Sequence, residues 1–263
     1  MKWMTSLIVV VWAVLPATQF RPAERFTGKL VDLTHAFDRD TIYWPTEEDF
    51  RLEKRAEGIT SKGYYYAANK LCTAEHGGTH IDAPVHFHEG GHTTEKIPLE
   101  RLIGAGALVD VSARCEADPD YQVQVQDLLT WEKKHHTRLD DHIVLLKTGF
   151  AKRWPDRERY LGTARRGEAA VSQLRFPGLH PEAAKWLAGS RSIRAVGLDT
   201  ASIDYGKSSD FKSHIILFEK NIPALENLAN LDGLPEIGFT VVALPMKIRG
   251  GTGGPLRIVA IIP

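Results

Sequence analysis

Seven short apolar runs, at 29–34, 64–73, 106–112, 141–148, 194–199, 240–245 and 256–262, constrain the fold of this chain more than any other feature. Most are rich in β-branched residues and stop at a polar residue or a proline, as strands do. Two stretches between them have helical character. Residues 121–135 carry Val125, Leu128, Leu129 and Trp131 on a rough apolar face, and residues 181–190 open with a proline, which suits a helix's first turn. Strands interleaved with helices, with hairpin-like stretches at both ends, predict an α/β protein: a mixed β-sheet with flanking helices. No repeat or low-complexity tract interrupts the chain after residue 25, so residues 21–263 are expected to form a single domain.

Residues 1–20 are set apart. Lys2 precedes the apolar run 7–15, which is short for a bilayer span and is followed by small and polar residues near Ala17 and Thr18. This pattern predicts a secretory signal peptide, the alternative being an uncleaved N-terminal anchor, and either places the domain in a secreted or periplasmic location. No other membrane partner is expected. Thirty-three basic residues balance 33 acidic ones, which leaves no electrostatic footprint for nucleic acid. The two cysteines, Cys72 and Cys115, match no zinc or redox spacing; export permits a disulfide, and a buried pair of free thiols is the alternative.

Three of the eleven histidines and one aspartate, His76, His80, Asp82 and His86, fall within eleven positions. Gly77, Gly78 and Pro84 rule against a helix there, so the segment is expected to be a loop or a loop-to-strand turn. In extended backbone His80 and Asp82 point the same way, and the glycines permit a reversal that brings in His76. Imidazole nitrogens with a carboxylate form a ligand set for zinc, or for manganese or iron when more oxygen donors join. His88 and His92 read as loop residues, and His135 and His136 as a solvated helix end. Asp199, at the end of a strand, is a candidate to hold the far nitrogen of a ligating histidine.

Residues 76–87 read His-x-Gly-Thr-His-x-Asp-x-Pro-x-His-Phe. They resemble the signature of the Putative cyclase family, which includes bacterial kynurenine formamidase, isatin hydrolase and a dienelactone hydrolase. The resemblance runs from Asp32-Leu33-Thr34-His35 to the segment 243–255, which ends Arg249-Gly250-Gly251-Thr252-Gly253-Gly254-Pro255. It implies a swivelling β/β/α-type fold, a divalent metal on His76, His80 and Asp82, and His86 as acid/base. In two-metal formamidases the aspartate also bridges to a metal held by a later histidine and a glutamate twelve residues beyond it. His214 and Glu226 have that spacing, whereas isatin hydrolase-like members lack the glutamate and use one metal.

The resemblance therefore implies one or two zinc or manganese ions per chain, a small-molecule substrate, and a homodimer or homotetramer. Tyr43 and Trp44 occupy the place of an aromatic loop near the family's pocket, where they either stack on substrate or simply pack. The first reading is hydrolysis of an aryl formamide, such as N-formylkynurenine, by metal-activated water. The alternative is ring opening of a cyclic amide or lactone. A reading of another class, a secreted binding module without turnover, is opposed by the intact His86.

Overall fold

The computed structural model describes residues 28–263. In chain order the elements are β1 (Lys29–Asp32), β2 (Arg51–Ile59), β3 (Tyr65–Cys72), β4 (His80–Asp82), α1 (Leu99–Leu102), β5 (Ile103–Asp110), α2 (Ser112–Ala117), β6 (Gln122–Val123), α3 (Val125–His135), β7 (His142–Lys147), α4 (Arg157–Leu161), α5 (Glu168–Val171), β8 (Gly178–Leu179), α6 (Pro181–Ser190), β9 (Ala195–Leu198), α7 (Lys212–Phe218), β10 (Ala224–Glu226), β11 (Phe239–Pro245) and β12 (Gly253–Ile262). Eight strands share one sheet in the order β1-β12-β11-β5-β7-β9-β10-β4, and β12 also pairs with β4. The sheet thus closes on itself like a barrel. The run β5-β7-β9-β10 is parallel and the remaining pairings are antiparallel, which makes the expected mixed sheet.

The central parallel strands of the ring, β5, β7 and β9, are apolar on both sides. In β7, Ile143 and Leu145 join a cluster with Ile81, Leu108, Leu225, Val241 and Ile258, which fills the ring. Their neighbours Val144 and Leu146 face outward into a second cluster with Leu128, Trp131, Leu187 and Leu217 from α3, α6 and α7. A strand covered on both faces has no polar alternation, which is why 141–148 reads as an unbroken apolar run. The same period of two decides where the chemistry can sit. Ile81 and Leu225 point into the ring, so His80, Asp82 and Glu226 must point outward, toward α7.

One helix boundary and one strand depart from the sequence reading. Helix α3 starts at Val125, because Gln122 and Val123 pair in parallel with β8 and a capping box of Gln124 and Asp127 closes the first turn. It is capped by His136, in left-handed backbone, while His135 packs on Trp131 and meets Glu236 at 2.6 Å, so only part of this helix end is solvated. Strand β2 went unpredicted. With β3 it forms a separate two-stranded sheet, almost wholly exposed, so its charged sequence carries no buried face to read.

Both cysteines are free thiols, Cys115 buried and Cys72 exposed on β3, so they form neither a disulfide nor a buried pair. Among the described residues no helix is long and apolar enough to cross a membrane. The signal peptide expected at 1–20 lies outside the described residues.

Candidate metal centre

Strand β4 is only three residues long, yet it is held on both sides: His80 lies opposite Glu226 of β10 and Pro255 of β12, and Asp82 opposite Ala224 and Gly253. The pairing of His80 with Glu226 explains how residues so distant in sequence come together, since directly opposed side chains share a face. His214 reaches the same place from α7. His76 arrives through Gly77 and Gly78, both in backbone that side chains resist, at φ of 150° and 57°. A Cβ on Gly77 would lie 2.0 Å from the Tyr43 ring, and one on Gly78 would lie 2.5 Å from Phe37, so close packing and conformation both require glycine here.

Two groups of potential ligands result, His76/His80/Asp82 and Asp82/His214/Glu226, each with its donor atoms within 4.8 Å of one another. Asp82 belongs to both. Four of these five residues, all but His76, are at most 4 % exposed. Nδ1 of His80 donates to the carbonyl of Gly78 at 2.9 Å, which leaves Nε2 as a lone pair 3.1 Å from Asp82 Oδ1 and 3.5 Å from Glu226 Oε2. Nδ1 of His214 donates to Asp204 Oδ2 at 2.6 Å, leaving its Nε2 3.1 Å from Asp82 Oδ2 and 3.2 Å from Glu226 Oε1. Nδ1 of His76 lies 2.7 Å from Asp82 Oδ1. Lone pairs and carboxylates converging without a donor between them are satisfied only by cations, either protons or metal. Three imidazoles and two carboxylates therefore fit a divalent metal.

The electrostatics agree with that fit. Burial opposes a charge on His80, but the hydrogen bond and charge of Asp82 and the charge of Glu226 outweigh it and raise the pKa from 6.5 to about 9. His214 is likewise held well above the usual histidine range, against burial, by Asp204, Asp82 and Glu226. Burial would raise Asp82, yet the surrounding histidines hold it well below the usual carboxylate range, while burial and the charge of Asp82 raise Glu226. With no metal, the cage would hold protons in its place.

His86 lies next to the cage, its ring stacked on His76 at 3.8 Å between centroids and 19° between planes. Burial, with the charges of His76, His214 and His80, pulls its pKa from 6.5 to about 4 against the attraction of Asp82. It is therefore a neutral imidazole at neutral pH, open to the pocket. That pocket, of about 220 Å³, is lined by Ile42, Tyr43, Trp44, Glu47, Phe87 and Phe211 above the cage. Trp44 packs against Phe176 and Phe211, and Phe87 against Phe211 and His214. Tyr43 is 1 % exposed, and its hydroxyl bonds Thr73 at 2.6 Å, so its ring chiefly supports the histidine loop.

All the candidate residues gather here except Asp199. Its carboxylate accepts from the backbone of Thr148, Gly149 and Ala151 and from the Thr148 hydroxyl, and so ties two loops together without touching a histidine. The role expected of Asp199 falls to Asp204, which sequence reasoning missed. Asp204 also accepts from the backbone N–H groups of Ser213 and His214, fixing the start of α7. No spacing rule marks an aspartate ten residues before a histidine. Ile203 N–H holds Glu226 Oε1 in turn, at 2.7 Å.

Comparison with known proteins points the same way. The family model described as "Putative cyclase" matches residues 31–205. An isatin hydrolase from Roseibium aggregatum is 31 % identical over 77 % of this chain and 78 % of the relative. A kynurenine formamidase from Salinibacter ruber is 27 % identical over 88 % and 96 %. The solved structure of isatin hydrolase A from Ralstonia solanacearum superposes with a TM-score of 0.82 at 28 % identity, covering 94 % of this chain and 100 % of that one. A structure of a potential metal-dependent hydrolase with cyclase activity gives 0.65 at 24 % identity, over 90 % and 98 %. With its cage of histidines and carboxylates, this chain belongs to the Putative cyclase family.

Proposed function

We propose that the protein hydrolyses the C–N bond of a small, uncharged aromatic amide. The observation that carries this reading is an aromatic-walled pocket whose floor is the two-part ligand cage, with a neutral His86 beside it. His76, His80 and Asp82 would hold one zinc or manganese ion, and Asp82, His214 and Glu226 a second; when bound, such ions would supply positive charge to acidify water and polarise a carbonyl. His86, whose ring nitrogens are free of protein partners among the described residues, accepts the proton of the attacking water and returns it to the departing nitrogen. Trp44, Phe87 and Phe211 offer flat surfaces to an aromatic substrate and keep bulk water from the reacting bond.

Two substrates fit this class. An aryl formamide is supported by Glu226, the residue that the family resemblance ties to a two-metal formamidase. Ring opening of a cyclic amide is supported by the higher identity to an isatin hydrolase and by the pocket lining. Among the described residues the lining contains no lysine or arginine to meet the carboxylate of an amino-acid formamide such as N-formylkynurenine. We therefore favour the cyclic amide. Purified protein should open isatin faster than it cleaves N-formylkynurenine, lose both activities to a chelator and regain them with metal. Faster formamide cleavage would reverse the order of the two substrates, and activity indifferent to chelation would remove the metal-dependent mechanism. Glu226→Ala should lower bound metal from about two per chain toward one by elemental analysis, and an unchanged count would remove the second ligand group.

A further inference from the structure

A glycine-rich segment, Gly250 to Gly254, leads into β12. Thr252 lies in it, with its Oγ1 2.9 Å from Nε2 of His76 and 2.6 Å from Glu75 Oε2, while the Thr252 N–H donates to the same Glu75 oxygen at 2.9 Å. A hydroxyl has one hydrogen and a carboxylate can only accept, so the Thr252 hydrogen goes to Glu75. Oγ1 is then left to accept from His76, whose hydrogen must sit on Nε2. This places the Nδ1 lone pair 2.7 Å from Asp82 Oδ1, on the cage side of the ring.

The glycines make room for this arrangement. A Cβ on Gly253 would lie 2.6 Å from His76 Cε1, and one on Gly251 would lie 2.9 Å from Glu75 Oε1. The segment is also anchored from outside, since the Thr94 hydroxyl bonds the carbonyls of Gly251 and Gly253 and Glu95 accepts from the N–H of Gly250. His80 and His214 are oriented by a backbone carbonyl and by Asp204. His76 is the most exposed ligand and the one on a loop, so it has the greatest need of a fixed partner.

We propose that Glu75 and Thr252 form a carboxylate–hydroxyl relay that sets the tautomer and orientation of His76 as a metal ligand. Both are positioning residues, and the assignment rests on the reading of the cage as a metal centre. Removing such a support weakens metal binding by about 10–100-fold in known metal sites. The probe is Co²⁺, titrated into chelated protein and followed by its visible absorption, with wild type compared to Thr252→Val, Thr252→Ser and Glu75→Gln. Thr252→Val and Glu75→Gln should bind Co²⁺ about 10–100-fold more weakly at one site. Thr252→Ser, which keeps the hydroxyl, should restore wild-type affinity, and the chelated forms should melt together. Wild-type protein that fails to bind Co²⁺ would overturn the metal reading and the relay with it. Wild type that binds, with Thr252→Val binding equally well, would overturn the relay alone. A Thr252→Ser variant as weak as Thr252→Val would do the same, by showing that the residue acts through its bulk.

Discussion

His86 and His35 are both neutral histidines with a pKa near 4, but they differ in what that neutrality serves. His86 faces the pocket, so His86→Ala should lower the turnover rate by about 10²–10⁴-fold while leaving bound metal unchanged. Equal loss of metal would reassign His86 as a ligand. His35 is stacked on Trp154 at 4.2 Å, and its Nε2 is buried without a partner. Burial lowers its pKa from 6.5 to about 4, so between these values the unfolded chain takes up a proton that the folded protein refuses. Its contribution to stability is complete above pH 6.5 and is lost as pH falls toward 4. The melting temperature should fall across that window, and His35→Phe should flatten the fall; an unchanged slope would show that other groups carry it.

Legibility from sequence divides along the elements. Four residues of the centre fall within one eleven-residue segment, and its glycines and proline state the local geometry, so His76, His80, Asp82 and His86 could be read directly. His214 and Glu226 could not, because α7 and the β10–β4 pairing bring them in from afar, and only the family resemblance named them. Asp204 had neither signal, and Thr252 lay in a segment that the resemblance covers without giving it a role. Strand β2 was hidden for a different reason, having no buried face. With β3 it leaves Leu52, Ile59, Tyr65 and Leu71 more than half exposed on an arm that has no neighbouring sheet. Isolated two-stranded hairpins are marginal in water. The arm is therefore expected to pack against a second copy of the chain, as one form of the homodimer or homotetramer that the resemblance implied. Light scattering should report twice the chain mass, and Leu52→Asp combined with Ile59→Asp should reduce it to one. A wild-type monomer would reject this assembly.

At the scale of the whole molecule, the candidate metal centre joins the ring of strands to the helix layer. Ligands come from a loop, from β4, from β10 and from α7, so an ion that binds them cross-links segments more than a hundred residues apart. Binding to the native state alone stabilises it by about 2.7 kcal/mol at a hundredfold excess over Kd. In a protein of this size that corresponds to a rise of roughly 5–10 °C in melting temperature. Chelation should reverse the rise and added metal restore it, and a melting curve blind to both would mean that the cage holds protons only.

The closure of the ring by β12 also sets an order of events in time. This strand pairs with β1, β11 and β4, and it follows every ligand residue in the chain. A nascent chain that already carries His76, Asp82, His214 and Glu226 still has β4 on an open edge, without Thr252 or the glycines that seat His76. Synthesis must therefore reach β12 before the centre can assemble, and until then the growing polypeptide presents an incomplete barrel to chaperones.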